Sequence, residues 1–352
     1  VRLGTEDQTV PAPSMSKHPA WFGAVLGTGA MTTAIGTQAD VWHWTWLNPV
    51  VDVLIVLTSL LALLLLPRYL TRLRDRRTLW DELGDPARGP MLATLPAGIM
   101  VLVLMWGRFG SSLIPHTAAL WVSAVLLTIG ATLSLAVGLA WASALARTGP
   151  GLEGVTGGWL IPPVSNLLIP LTLPPLIVAN HRLAPALTLL GFAFLGVGVV
   201  LFLGIFGLLL ARLTVGAPIT AMLAPTLWIP LAPAGVIGLA TLRLEQAAVT
   251  AHVPGFTGIA SGLTVCAMGL GFGLWWAGYA AIDLRRIHRA GPAPAHPGWW
   301  GFVFPAAAMT LSLSALGAAS GVGVIRVAGL IATVALVGLW TLVAARTIRL
   351  AR

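Results

Sequence analysis

Few side chains of this 352-residue chain could do chemistry in an apolar setting, and their types narrow what that chemistry is. Thr28, Ser165, Asn166, Thr226 and Ser312, together with Thr32, Thr94 and Thr310, place hydroxyls and one amide inside long apolar stretches. Such groups donate and accept hydrogen bonds without ionising, so they can line the path of a solute without fixing a charge in it. Ionisable groups, the usual mark of cation coordination or proton relay at membrane depth, are nearly absent there. Asp52 and Asp283 fall near the ends of the stretches, and His18 and His296 precede them. No HExxH, GxSxG, phosphate-cradling loop or paired carboxylates occur, which argues against an enzyme. The single cysteine, Cys266, allows neither an internal disulfide nor a cysteine-based metal site. No cofactor and no metal is expected.

The elements that position these groups are set by composition. Apolar residues make up 57% of the chain and charged residues only 9%, a balance that a water-soluble domain of this size could hardly keep in solution. Ten apolar runs recur, over 19–39, 47–66, 91–107, 117–146, 157–179, 185–211, 219–242, 256–282, 298–320 and 324–345. Each is long enough to cross a hydrocarbon layer of about 30 Å as a helix, and none alternates as a barrel strand would. The expected fold class is therefore an all-α integral membrane protein. Residues 1–16 read as a loose tail without signal-peptide character, 17–346 as one ten-helix transmembrane domain, and 347–352 as a short C-terminal tail.

The net charge of +9 does not imply nucleic-acid binding. Sorted by loop in a ten-span topology, sixteen of the twenty Lys and Arg residues fall on one side, and only Arg108, Arg182, Arg243 and Arg326 on the other. That bias predicts both termini in the cytoplasm and membrane lipids as partners. Arg108, Arg243 and Arg326 each follow an odd-numbered span, at the mouth opposite the termini.

Proline placement reveals an internal repeat. "HPAWF" at 18–22 is echoed by "HPGWW" at 296–300, and this alignment lays Gly27 over Pro305. The positions that weaken the odd spans then read Gly27, Pro96, Pro162, Pro230 and Pro305, spaced 69, 66, 68 and 75 residues apart. Five helical hairpins, each of one broken and one regular helix, are expected to close into a quasi-five-fold ring around a central pore, with the breaks at Gly27, Pro96, Pro162, Pro230 and Pro305 lining it. The residues just before the weak points, Leu26, Leu95, Ile161, Ile229 and Phe304, are all bulky and apolar. Such a set would form a dewetted gate, with Phe304 its largest member. A path of hydroxyls without carboxylates, with arginines at one mouth, favours small anions as cargo.

Three segments carry a resemblance: "HPAWFGAVLGTG" in the first span, "WIPLAPAG" in the seventh and "WWGFVFP" in the ninth. In this order the chain resembles the tellurite-resistance/dicarboxylate transporter family, which includes plant slow anion channels, malate permeases and sulfite efflux pumps. The resemblance implies a ring of five hairpins around one pore per subunit, commonly in a homotrimer, that passes anions without a cofactor. It also implies that the phenylalanine of the "FP" pair, here Phe304, occludes the pore. The alternative it leaves open is a proton-coupled carrier of C4-dicarboxylate or sulfite.

Overall fold

The computed structural model describes residues 18–290 and 296–351. The expected N-terminal tail, with Arg2 and Lys17, and the last residue of the C-terminal tail lie outside the described residues. Twelve helices follow in order: α1 (Gly23–Trp42), α2 (Asn48–Leu70), α3 (Arg76–Gly84), α4 (Thr94–Phe109), α5 (His116–Thr148), α6 (Ile161–Thr172), α7 (Pro174–Ala179), α8 (Ala184–Val215), α9 (Leu231–Thr250), α10 (Ala260–Ala290), α11 (Trp300–Ser320) and α12 (Gly323–Ala351). Helix α12 runs on through most of the positions expected to form a tail.

Nine spans among the described residues are long and apolar enough to cross a membrane. The tenth expected span is present as α1, but Thr28, Thr32, Thr33, Thr37, Gln38 and Asp40 make it too polar to qualify by composition. That polarity reflects its position, because nearly every residue of α1 from Gly23 to Ala39 is buried. Burial divides the other spans the same way. Those containing α4, α6, α9 and α11 are 67–83% buried over their most apolar stretch, whereas those of α2, α5, α8, α10 and α12 are 17–28% buried. The first set forms an inner layer and the second an outer layer whose exposed side is rich in Leu and Val.

Contacts between the layers repeat unit by unit. Each inner helix packs on the outer helix that follows it, in the pairs α1–α2, α4–α5, α6–α8, α9–α10 and α11–α12. Each outer helix also touches the next inner helix: α2 with α4, α5 with α6, α8 with α9, α10 with α11, and α12 with α1. Inner helices contact one another in the order α1, α4, α6, α9, α11 and back to α1.

Every inner helix is entered through a 3₁₀ turn, at Pro19–Phe22, Gly89–Ala93, Gly157–Leu160, Ala224–Trp228 and Pro297–Trp299. Their starts are 70, 68, 67 and 73 residues apart, and neighbouring turns touch in the same cyclic order as the helices. The chemistry of these entries explains the His-Pro echo. His18 and His296 each cap a turn: the Ala20 N–H donates to His18 Nδ1 at 3.2 Å, and the Gly298 N–H donates to His296 Nδ1 at 3.0 Å. Pro19 and Pro297 follow at the first position, where a missing N–H costs nothing. In the third unit Thr156 does the same work, its hydroxyl oxygen accepting from the Gly158 N–H at 3.2 Å.

These entries revise the role of the prolines. Pro96 and Pro162 are the third and second residues of their α-helices, and Pro230 immediately precedes α9. The first N–H groups of a helix lack intrahelical partners in any case, so proline is tolerated there. Only Pro305 lies inside its helix, while Gly27 sits in the second turn of α1. With rises of about 2.0 Å per residue in the turn and 1.5 Å in the helix, all five fall roughly 10–14 Å along their units.

Glycine sets how closely the layers approach. A Cβ on Gly27 would lie 2.9 Å from the Trp300 ring, and one on Gly238 would lie 2.4 Å from the Cys266 Cα. The neighbour of Gly238 is backbone and cannot yield, so Gly238→Ala should lower the melting temperature of the detergent-solubilised protein, at a cost of about 1–3 kcal/mol. Gly204→Ala, in open space on α8, should not lower it. A second expectation concerns His18, whose ring burial and the nearby Arg88 push its pKa down to about 4. The unfolded chain, with an ordinary value of 6.5, then binds more protons than the folded one, so stability should be full above about pH 6.5 and fall as pH drops toward 4. Melting curves across that window should show a shallower loss for His18→Asn, which can cap the turn but does not titrate.

Candidate functional site

Two cavities lie between the inner helices, one near the 3₁₀ turns and one toward the opposite end. The first, of about 50 Å³, takes residues from all five units: Leu26 from α1, Thr94 from α4, Ile161 and Val164 from α6, Thr226, Ile229 and Ala232 around the start of α9, and Phe304 and Pro305 from α11. Four of the five apolar positions expected at a gate thus meet at one place, with Phe304 only 6% exposed. Leu95 does not join them. Successive residues of a helix point about 100° apart, and unit two turns Thr94 inward while Leu95 lines a groove shared with Phe22 of unit one and α2 and α5 residues. The Thr94 hydroxyl is itself engaged, donating toward the carbonyls of Pro19 and Met91 and lying 3.0 Å from the Tyr69 hydroxyl. The weak points behave differently from the bulky positions. Pro305 lines this cavity, whereas Gly27 packs on Trp300 and Val303, and Pro96, Pro162 and Pro230 are buried among the helices without lining either cavity.

Most of the expected polar lining faces sideways, into the layer interface. The Trp340 Nε1 of α12 donates to Thr28 Oγ1 at 3.0 Å. Ser134 of α5 donates to Ser165 at 2.7 Å, and Ser165 passes its own proton to the Pro162 carbonyl. Ser312 lies 3.0 Å from the Cys266 sulfur of α10. Asn166 is buried, its Nδ2 donating to the Pro162 carbonyl at 3.0 Å while its Oδ1 has no partner among the described residues. A hydroxyl surrounded by apolar atoms is costly unless paired, and the outer helices supply the pairs. Of the five, only Thr226 reaches a cavity, and its hydroxyl already donates to the Leu223 carbonyl.

The second cavity is larger, about 420 Å³, and again draws on all five inner helices, through Thr33, Leu104, Leu171, Leu239 and Leu311. Besides Thr33 and Thr250, its polar members are Arg108 of α4, Arg243 and Gln246 of α9, and His116 at the start of α5. Arg108 and Arg243 were marked in the sequence by their place after odd spans. The third such residue, Arg326, is elsewhere: its Nη2 donates to the Val41 carbonyl at 2.7 Å and its guanidinium lies over Trp42. Gln246 escaped sequence reasoning, although its spacing of three from Arg243 puts both on one helical face. Neither cavity is lined by a carboxylate.

Between the two lies a closed layer. From Leu26 to Thr33, Val164 to Leu171, Ala232 to Leu239 and Phe304 to Leu311 the interval is seven residues, about 10 Å of helix. Helical spacing assigns this interval to Ala30, Ala97, Leu168, Val236, Ala307 and Ala308, all at most 2% exposed and all in one packed cluster. The layer holds no titratable side chain. Among the described residues no group of three or more His, Cys, Asp or Glu could hold a metal ion.

Comparisons with known proteins show what this chain is similar to. An uncharacterized transporter of Methanocaldococcus jannaschii is 26% identical, over 84% of this chain and 82% of its own length. A sulfite efflux pump of Arthroderma otae is 25% identical over 94% of this chain and 90% of its own, and one of Trichophyton rubrum is 24% identical over the same shares. Residues 17–348 match the family described as voltage-dependent anion channel, SLAC1. A multi-pass helical chain whose match to that family runs almost from end to end belongs to the SLAC1 family of membrane anion channels and transporters.

Proposed function

We propose that the two cavities are the halves of a single anion conduit, enclosed by a quasi-five-fold ring of helical hairpins and closed in this structure by Phe304 together with the alanine-rich layer behind it. The observation that carries this reading is that both cavities are lined by all five inner helices, in register, with only tightly packed apolar residues between them. A constriction of this kind blocks ions by excluding water, since a bare ion in an apolar neck loses its hydration. Arginines and the absence of lining carboxylates lower the cost of an anion relative to a cation. The chain on this reading moves small inorganic or organic anions passively and catalyses no covalent step.

The 3₁₀ end carries the basic loops, where Arg72 and Arg88 pair with Glu82 at 3.0 and 3.1 Å, and we assign it to the cytoplasm of a plasma-membrane protein with both termini on that side. The family resemblance suggests a homotrimer, each protomer with its own conduit. A second reading, a proton-coupled carrier, is favoured by the likeness to sulfite efflux pumps over 94% of the chain. The untitratable layer between the cavities speaks for the passive one.

In proteoliposomes loaded with a chloride gradient, Phe304→Ala should raise anion flux several-fold over the unsubstituted protein. Because Leu168 and Val236 remain in the layer behind it, Phe304→Ala/Leu168→Ala should raise it further; a folded double variant with unchanged flux would remove this path from consideration. Imposing a pH gradient on vesicles with equal sulfite on both sides separates the two readings. No net sulfite movement is expected, and uphill accumulation would establish the coupled carrier.

A further inference from the structure

We propose that Arg243 is the specificity-determining residue of the larger cavity, the group that favours anions presenting two or more acceptor oxygens over halides. The inference rests on the conduit reading and names the residue that selects among its cargo.

The two arginines of this cavity are not equivalent. Arg108 is committed: Nη1 donates to Thr37 Oγ1 at 2.9 Å and Nη2 to Asp40 Oδ2 at 2.8 Å, so a carboxylate offsets its charge. Arg243 has no carboxylate partner among the described residues, and its one hydrogen bond there runs from Nη1 to Gln246 Oε1 at 3.0 Å. The nearest acid in sequence, Glu245, is turned away. Two residues along a helix is about 200° of rotation, and the Glu245 carboxylate accepts the Gly262 N–H at 2.8 Å and the Ser261 hydroxyl at the start of α10. Arg243 is therefore the arginine of the cavity with no carboxylate in contact among the described residues, and it stands one turn beyond Leu239, which borders the apolar layer.

The shape of the group sets the ligand class. A guanidinium presents parallel N–H donors that match two oxygens of one anion, whereas a halide can use only its charge. With Nη1 held by Gln246, the rest of the fork stays free for such a pair. The hydrogen bond also leaves the Gln246 amide N–H₂ as a second donor on the same face. A cavity of about 420 Å³ has room for a small dicarboxylate or a hydrated oxyanion. Binding there would concentrate cargo before the narrow layer and make flux saturable.

The test uses the full-length protein with malonate, sulfite and chloride as probe anions at pH 8. Wild-type flux into proteoliposomes should saturate for malonate and sulfite at lower concentration than for chloride. Arg243→Gln should raise the half-saturating concentration of both oxyanions about tenfold and flatten the preference, and Arg243→Lys should restore chloride more than either oxyanion. Thermal stabilisation of the detergent-solubilised protein by malonate, lost in Arg243→Gln, gives a readout independent of conduction. Should Arg243→Gln fail to fold, Gln246→Ala is expected to weaken the oxyanion preference without abolishing it. Unchanged half-saturation, anion preference and malonate stabilisation in folded variants would overturn the assignment to Arg243. A wild-type protein and Phe304→Ala variant that both pass no anion would instead overturn the conduit, and a malonate effect on melting that persisted only through Arg243 would still support the site.

Discussion

No water reaches the interior of a hydrocarbon layer, so each polar group at that depth must find a partner within the protein or face a wetted space. The two-layer arrangement follows from this requirement. The inner helices carry the hydroxyls, the glycines and the irregular entries, and the outer helices supply what they need: Trp340 for Thr28, Ser134 for Ser165, Cys266 for Ser312. At the entries themselves, the N–H groups freed by a 3₁₀ turn are met by His18, Thr156 and His296. The outer helices, continuous and largely apolar, turn a Leu- and Val-rich face outward that suits lipid.

The same division explains how a packed layer can separate the two cavities. Small residues let the inner helices approach until backbone meets backbone, as Gly235 meets Ala308. At the level of Ala30, Ala97, Ala307 and Ala308 the approach leaves no room for water, and the two branched members, Leu168 and Val236, fill what remains. On either side larger spacing opens the cavities. Phe304 lines the smaller cavity, and of the two only the larger has charged residues in its lining, Arg108 and Arg243, beyond the apolar layer.

Much of the fold was legible because a membrane span writes its length and its period into the sequence. The unit of about 70 residues, announced by the matching His-Pro pairs, is realised as one 3₁₀ turn, one inner helix and one outer helix in each of five units. The bulky positions Leu26, Ile161, Ile229 and Phe304 were found because an aligned repeat puts equivalent residues at equivalent places. Leu95 does not reach that cavity because the second unit is rotated by one residue relative to that alignment, so Thr94 lines it instead. For Thr28, Ser165 and Ser312 the sequence records that a hydroxyl is present in an apolar helix and not which neighbour it pairs with. The prolines lie at a common level along each unit, but Pro96, Pro162 and Pro230 stand at the starts of α-helices, and only Pro305 interrupts one.

By itself the sequence determined that the chain is helical and membrane-spanning, that it repeats, which side carries the basic loops, and that its interior is poor in carboxylates. These are properties of composition and spacing, and each is fixed before any helix meets another. Only the tertiary structure decided which face of each inner helix turns toward the others, because a step of one residue rotates a side chain by about 100° and the direction is set by packing between layers. It decided that alanines, unremarkable in sequence, form the closed layer. It also decided that Asp40 answers Arg108 while Glu245 turns away from Arg243, a difference that rests on partners distant in the chain.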